Sequence, residues 1–206
     1  MKNKAIIISL AFAAILGTAF KPVEKKADGF KINSELSNIE WVGKKVTGEH
    51  KGGIKISNGD LNVTNGSITG GNFTIDMNTI SCSDLQGEYS DKLIGHLKGE
   101  DFFSVQKHAN SNFTITKVVA IKTAKNPGEA NNTITGNLTI KGITQEVSFP
   151  AYVLVKNDGI VAIGEVVIDR TKFEIKYGSA NFFEGLGDKA ISNDFIIKFK
   201  LAAKKA

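Results

Sequence analysis

Apolar and polar side chains alternate with a period of two along most of this chain, and no other feature constrains the fold as strongly. Phe73, Ile75 and Met77 alternate with polar neighbours, and similar runs occur at residues 112–116, 133–141, 147–155, 173–177 and 195–201. Because successive side chains of a strand point to opposite faces, the pattern indicates strands with one buried and one exposed face. Further strands are expected at residues 39–46, 53–56, 61–64 and 160–168.

Turn signals separate these runs. Residue pairs suited to tight turns are Asn58-Gly59, Asn65-Gly66, Gly70-Gly71, Pro127-Gly128 and Asp158-Gly159. The sequence therefore predicts a mainly β fold, an antiparallel meander of about eight strands, which is the number that closes a barrel around one small ligand. A β-sandwich produces the same alternation, so both architectures remain open at this point. No linker divides residues 30–206, which are expected to form a single domain.

One segment, residues 83–99, departs from the β pattern. Tyr89, Leu93 and Leu97 recur every four residues with Ile94 beside them, which predicts a short helix with one apolar face. Ser90 is a candidate N-cap, and Gly99 suits the C-terminal end. A second irregular region, residues 178–188, contains the aromatic pair Phe182-Phe183. Long connections of this kind are where function tends to lie.

The first 19 residues have the pattern of a secretory signal peptide. Lys2 and Lys4 precede an apolar stretch over residues 5–16, and small residues lead to Ala19. Cleavage there would remove 19 of the 206 residues, leave 187 and lower the formal charge from +5 to +3. Residues 20–29 are polar and are expected to form a flexible lead. The mature protein is expected in the bacterial periplasm or outside the cell, with no transmembrane segment.

Several chemistries find little support in the composition. A pI near 9.1 invites nucleic-acid binding, but Arg170 is the sole arginine and the lysines are dispersed among acidic residues. The three histidines have no metal-ligand spacing, and the single cysteine, Cys82, excludes a disulfide framework. No metal, no nucleic-acid partner and no enzymatic activity are expected.

Arg170 and His96 each allow two interpretations. The guanidinium of Arg170 could grip a phosphate or carbonyl head group near a barrel mouth, or it could pair with Asp169 or cap backbone carbonyls. The structural role is favoured for Arg170. His96 lies close to Leu93 and Leu97 on the predicted helix, and a structural role is favoured for it as well.

Three motifs, in order, resemble those of the YceI-like family of exported polyisoprenoid-binding proteins. Residues 93–107, LIGHLKGEDFFSVQK, are similar to the family's HLxSxDFFDVxKYP segment. Residues 134–144, ITGNLTIKGIT, resemble its VxGDLTIRGVT hairpin, and residues 167–173, VIDRTKF, resemble its IDRxDFG motif. His108 and Ala109 replace an expected tyrosine and proline, and Glu174 stands where the family often has glycine. The resemblance covers residues 30–201.

This resemblance implies a lipocalin-like antiparallel barrel whose helical segment covers one end and whose interior holds an apolar pocket. It further implies non-enzymatic binding, transport or sequestration of an isoprenoid-type lipid such as an isoprenoid quinone or a prenyl pyrophosphate, with no covalent cofactor. Candidate pocket-lining residues are Trp41, Phe73, Phe102, Phe103, Phe113, Phe149, Phe173 and Tyr177. Candidate head-group contacts are Arg170, His96 and His50.

Two other functional classes remain open. One is a structural or protein-interaction β domain whose core is filled by side chains. The other, weaker, is an enzyme that uses His96 with Asp101 or Glu100 as an acid–base pair. A symmetric homodimer is compatible with the sequence, which identifies neither the lipid nor its head group.

Overall fold

Nine strands and one α-helix make up the secondary structure of residues 27–206, the part of the chain that the computed structural model describes. The predicted signal peptide lies outside the described residues. In chain order the elements are β1 (Asp28–Ile32), β2 (Asn38–Lys45), β3 (Gly48–Thr64), β4 (Ser67–Asp76), α1 (Gly87–Lys98), β5 (Asn110–Ala120), β6 (Asn132–Ile140), β7 (Ile143–Val155), β8 (Gly159–Asp169) and β9 (Ile191–Lys205). Short 3-10 turns lie at Met77–Thr79, Arg170–Phe173 and Gly187–Lys189.

The strands form one closed antiparallel barrel. Their order is β1-β3-β2-β9-β8-β7-β6-β5-β4, and pairing of β4 with β3 closes the ring. β1 and β2 occupy a single position in the wall, because both lie between β3 and β9 and follow one another along them. The wall therefore has eight strand positions, so the expected eight-stranded barrel is confirmed and the sandwich is excluded.

The helix lies at one end of this barrel, between β4 and β5, as predicted. Leu97 is buried, and Leu93 and Ile94 pack against the core, so the apolar face faces the barrel. Two details of the prediction are wrong. The helix begins at Gly87 after the N-cap Gln86, so Ser90 is inside it, and Tyr89 is 74% exposed. Gly99 ends the helix, as expected.

Two predicted turns are instead bulges within long strands. Asn58-Gly59 lies inside β3, where the pairing with β4 shifts register between Ile56 and Asn58. The core-facing residues have even numbers before this point (Ile54 and Ile56) and odd numbers after it (Leu61 and Val63). A bulge produces that change without a turn. A Cβ at Gly59 would lie 2.8 Å from Ile32 Cγ1, so this glycine allows close packing. Gly70-Gly71 similarly lies inside β4 beside a second register shift, between Asn62 and Val63 of β3.

Two other boundaries are informative. Asn65-Gly66 is the β3–β4 turn, with positive φ at both residues (54° and 77°), as the sequence predicts. Strand β1 begins at Asp28, so the last two residues of the expected flexible lead are in the sheet. They pair with Val63 and Asn62 of β3, which orders them despite their polar character.

Candidate ligand-binding cavity

Inward-facing side chains of the barrel leave a cavity of about 230 Å³. Its wall is almost wholly apolar and is built from alternate residues of the strands, because every second side chain points inward. Ile80, Leu97, Phe102 and Phe103, from the segment around α1, close one end. At the other end the wall includes Ile56, Leu61, Ile68 and Leu201. The core is therefore not filled by side chains, in contrast to the alternative of a packed β domain.

Six of the predicted aromatic residues line this cavity: Trp41, Phe73, Phe102, Phe103, Phe113 and Phe149. Ring centroids are 6.2 Å apart for Phe73 and Phe113, and 5.7 Å apart for Phe113 and Phe149. Phe199, which the sequence interpretation did not single out, continues this row 5.6 Å from Phe149. Trp41 Nε1 donates a hydrogen bond to the Ser81 carbonyl at 3.0 Å, so the indole is fixed and its polar atom is satisfied.

Four other predicted site residues lie off the cavity wall. Phe173 lies in the 3-10 turn after β8 and is buried in the core, but it is not part of the cavity lining. Tyr177 is 45% exposed, and its ring packs against His96 outside the end of the barrel. The His96 ring lies between Tyr177 and Phe102, with centroids 4.5 Å and 4.9 Å away. His50 is partly exposed and does not border the cavity, and its Nδ1 is 2.8 Å from Asp84 Oδ2.

The acid–base pair proposed for His96 is not formed. Glu100 is paired with Lys107 at 2.6 Å, and the ion pair lowers the pKa of the Glu100 carboxyl. Within residues 27–206, no side-chain hydrogen bond joins His96 to Glu100 or Asp101. Aromatic contacts, rather than a carboxylate, therefore orient the imidazole.

Arg170 lies on the cavity wall and is almost completely buried, with 3% of its surface exposed. Its Nε donates to the Ser192 carbonyl at 2.8 Å, Nη1 to the Ile175 carbonyl at 2.7 Å and Nη2 to the Ile191 carbonyl at 3.1 Å. The predicted carbonyl-capping role is thus confirmed. The alternative ion pair with Asp169 is not formed, and Asp169 Oδ1 instead accepts from the Thr171 backbone N–H and hydroxyl.

The Phe102 ring centroid lies 5.8 Å from the guanidinium carbon of Arg170. Burial lowers the pKa of the guanidinium, and the nearby charge of Asp169 raises it. Arginine has five N–H donors, of which three are used here, so one N–H on each terminal nitrogen is left for another acceptor.

The wall is interrupted where β2 meets the start of β9. Gly43 pairs with Phe195 and Lys45 with Ile191, so Lys44 faces the three residues 192–194. Lys44, Ser192 and Asp194 all line the cavity. A surface depression on the outer side is bounded by Lys44, Lys45, Val46, Ala180 and residues 190–193. We call this interrupted seam, Lys44 with residues 191–194, the portal.

Sequence reasoning missed the portal. Continuing the alternation of Phe195, Ile197 and Phe199 backwards places Asn193 inside the barrel, whereas Ser192 and Asp194 border the cavity. Ser192 and Asp194 are exposed, as the alternation predicts, and the polar run Ser-Asn-Asp is equally typical of a strand end without an interruption. No local signal distinguishes the two cases.

A small, partly exposed polar cluster lies beside β3. Asp84 accepts from the Lys51 backbone N–H at 2.8 Å and from Cys82 Sγ at 3.3 Å, and it contacts His50. No group of three or more potential metal ligands occurs between residues 27 and 206. None of the helices in this range combines the length and apolar character of a bilayer-spanning segment.

Comparison with known families agrees with the motifs in the sequence. The family model for the YceI-like domain matches residues 30–203. This chain belongs to the YceI-like family. A curated relative of this YceI-like protein, the UPF0312 protein of Ectopseudomonas mendocina, is 26% identical over 156 residues. That match covers 73% of this chain and 72% of the relative.

Solved structures of low sequence identity share the fold of this YceI-like chain. BcnA of Burkholderia cenocepacia is 19% identical and superposes with a TM-score of 0.66, covering 84% of this chain and 99% of that one. A polyisoprenoid-binding domain from Saccharophagus degradans, implicated in plant cell wall breakdown, is 12% identical with a TM-score of 0.60. It covers 88% of this chain and 100% of that one. At these identities the similarity concerns the fold.

Proposed function

We propose that this protein binds an isoprenoid-type lipid, such as an isoprenoid quinone or a prenyl pyrophosphate, in its barrel and carries or sequesters it without chemical change. The observation that carries the proposal is the apolar cavity of about 230 Å³ inside a closed barrel. A cavity of about 150 Å³ lined by aliphatic and aromatic side chains is enough to bind benzene. The similarity in fold to a polyisoprenoid-binding domain supports the same ligand class.

The energetics favour recognition of the tail. Burying one CH₂ group contributes about 0.8 kcal/mol, so each five-carbon isoprene unit offers about 3–4 kcal/mol before ordering costs. Phe73, Phe113 and Phe149 supply a continuous aromatic wall along which a methyl-branched chain can lie. A few units are then sufficient for tight binding.

The polar head of such a lipid would lie at the portal end. The two N–H groups of Arg170 that are not used by carbonyls can donate to a quinone or phosphate oxygen. Lys44 borders the same space and can add a positive charge. Head-group contact is thus proposed for Arg170, and it is compatible with the structural hydrogen bonds of this residue.

The proposed setting is the bacterial periplasm or the exterior, after removal of a signal peptide near Ala19. A water-insoluble lipid that crosses an aqueous compartment needs a protein that covers its apolar tail. The proposal of an exported carrier therefore joins the basic and apolar pattern of residues 2–19 to the cavity.

The first test is organic extraction of the purified, exported protein followed by mass spectrometry. We expect about one isoprenoid lipid for each wild-type chain. The variant Ala162→Phe places a ring in the cavity, because Ala162 is buried and lines it, and it should lose most of that lipid. The matched control is Ile163→Phe, which enlarges an exposed residue of the same strand and should retain the lipid.

Absence of lipid from correctly folded wild-type protein, together with no binding of an added quinone or prenyl pyrophosphate, would contradict the carrier function. That result would favour the structural or protein-interaction alternative. Equal lipid content in Ala162→Phe and wild type would place the ligand outside the barrel.

A further inference from the structure

Two adjacent phenylalanines, Phe182 and Phe183, are displayed on the connection between β8 and β9. Each is 49% exposed. Large apolar side chains exposed side by side are uncommon on a protein surface unless they contact a partner or a membrane. Lys176 Nζ lies 5.1 Å from the Phe182 ring centroid and covers part of one face.

The chain that presents this pair is firmly held. The backbone N–H groups of Phe182 and Phe183 both donate to the Ser179 carbonyl at 3.0 Å. Ser179 is completely buried, and its hydroxyl donates to Asn193 Oδ1 at 2.6 Å. The Ile191 N–H donates to the Gly178 carbonyl at 2.8 Å. The exposure of the two rings is therefore built into an ordered turn rather than caused by a loose loop.

The same hydrogen bonds place the phenylalanines beside the portal. Ser179 is bonded to Asn193, which is one of the three residues that face Lys44 across the interrupted seam. Ala180, two positions before Phe182, borders the depression outside the portal. The exposed apolar pair thus lies next to the seam, where Lys44, Ile191 and Ser192 border both the cavity and the surface depression.

Surface charge is balanced in the two segments that border the portal, apart from the buried Arg170. Residues 174–194 and the end of β2 contain four lysines and four carboxylates: Lys44, Lys45, Lys176, Lys189, Glu174, Glu184, Asp188 and Asp194. A surface that binds nucleic acid or strongly anionic lipid has an excess of positive charge. Balanced charge around exposed aromatic rings instead suits the interface of a zwitterionic bilayer, where such rings lie at the level of the head groups.

From these observations we infer that the Phe182-Phe183 turn docks the protein on a phospholipid bilayer with the portal facing the membrane. This inference rests on the proposed function, because docking would let a water-insoluble lipid pass between bilayer and cavity without crossing water. The partner is the bilayer interface itself, recognised through partial insertion of the two rings.

The test is flotation of the purified full chain with vesicles of pure phosphatidylcholine. We expect wild type to bind, and the double variant Phe182→Ser/Phe183→Ser to bind at least about tenfold more weakly, because it loses the inserted apolar area. The control Ile163→Ser/Val167→Ser removes two exposed apolar side chains from the outer face of β8 and should bind like wild type. A second variant, Phe182→Trp/Phe183→Trp, should keep or increase binding, which separates loss of insertion from loss of folding.

Several results would overturn the docking. One is that wild type does not bind vesicles, and another is that wild type and the serine variant bind equally. A third is that the β8 control loses as much vesicle binding as the serine variant. A serine variant that only converts a dimer to a monomer by light scattering would assign the rings to a second copy of the chain. Lipid recovered by extraction without vesicle binding leaves the carrier function standing and rejects docking. Vesicle binding through the two rings without any extractable lipid would support docking and contradict the carrier function.

Discussion

Arg170 holds the interrupted seam of the barrel together. Its three hydrogen bonds to carbonyls bind the start of β9 to the turn after β8, at the point where the barrel wall is interrupted. The carbonyls satisfy the buried guanidinium without a carboxylate, and charge-assisted bonds of this kind are stronger than neutral ones. The residue that holds the portal in shape is thus the one for which head-group contact is proposed.

Asp84 is the carboxylate whose ionisation the fold changes most clearly. Partial burial favours its neutral form, but hydrogen bonds from the Lys51 N–H, His50 and the Cys82 thiol outweigh burial and lower its pKa from 3.8 to about 2. Because the folded-state pKa is the lower one, the carboxylate stabilises the fold above about pH 3.8. That contribution is lost as the pH falls through about 2.

The variant Asp84→Asn keeps an acceptor for the Lys51 N–H but removes the charge. We expect it to be less stable than wild type by about 1 kcal/mol at pH 7, after allowance for solvent screening. The difference should persist to about pH 4 and shrink between pH 4 and pH 2. Urea unfolding at pH 7, 4 and 2.5 measures it, with Asp91→Asn at an exposed position of α1 as the control. A difference that grows on acidification would contradict the assignment.

Among the elements, β3 is the longest strand, and like β9 it pairs with three others, in its case β1, β2 and β4. The segment before α1 also runs along it: the Ser81 N–H donates to the Gly53 carbonyl and the Ser83 N–H to the Lys51 carbonyl. Gly52 makes this crossing possible. A Cβ there would lie 1.7 Å from the Ser81 carbonyl oxygen, which is the acceptor of the Trp41 indole.

We therefore expect Gly52→Ala to destabilise the protein by at least about 1–3 kcal/mol, through displacement of the segment that leads into α1. The control is Gly95→Ala on α1, where a Cβ meets no atom within 4 Å. That substitution should stabilise the helix by about 0.5–1 kcal/mol. Thermal unfolding of the two variants measures the contrast, and a Gly52→Ala protein as stable as wild type would show that the crossing is not tightly constrained.

Most strands and the helix were predictable from the sequence because each depends on a local pattern. Strand β1 was not expected, however, and the strand predicted at residues 173–177 is wrong because a 3-10 turn and an irregular connection lie there. Phe73 and Ile75 alternate with polar residues within β4 and so reveal its facing, and Leu93 and Leu97 do the same for the helix. Bulges were not predictable, because Asn58-Gly59 and Gly70-Gly71 have the same composition as turns. The choice between turn and bulge depends on whether a partner strand continues alongside, which is a non-local property.

For the candidate site, the sequence predicted the inward aromatic residues on regular strands and failed at strand ends. Trp41, Phe113 and Phe149 follow the alternation and line the cavity. Phe173 and Tyr177 belong to the chain after β8, where the pleat no longer decides which way a side chain points. The portal, formed by Lys44 and Ser192, required the register between two strands that are distant in the sequence.

At the scale of the whole molecule, the barrel is completed by the short strand β1. Phe30 at its centre is buried and pairs with Leu61 of β3 and Lys205 of β9, in the part of the wall that β2 does not reach. The end opposite the portal is therefore held together by a strand that is far from its partners in the chain.

Phe30→Ala should destabilise the protein by about 3–5 kcal/mol, because it opens a cavity in the buried cluster that joins the three strands. Hydrogen exchange should accelerate most at residues 60–63 of β3 and 203–205 of β9. Phe183→Ala, at an exposed ring, should change stability by no more than about 0.5 kcal/mol. Uniform acceleration of exchange over the barrel would show that β1 does not stabilise only the neighbouring parts of β3 and β9.

The position of Trp41 has a practical consequence. It is the sole tryptophan of the chain, it lines the cavity, and its indole N–H is fixed on the Ser81 carbonyl. Fluorescence excited at the red edge of protein absorption therefore arises from one point on the binding surface. Occupation of the barrel changes the surroundings of that single emitter, so the wild-type chain reports its own ligand without a label.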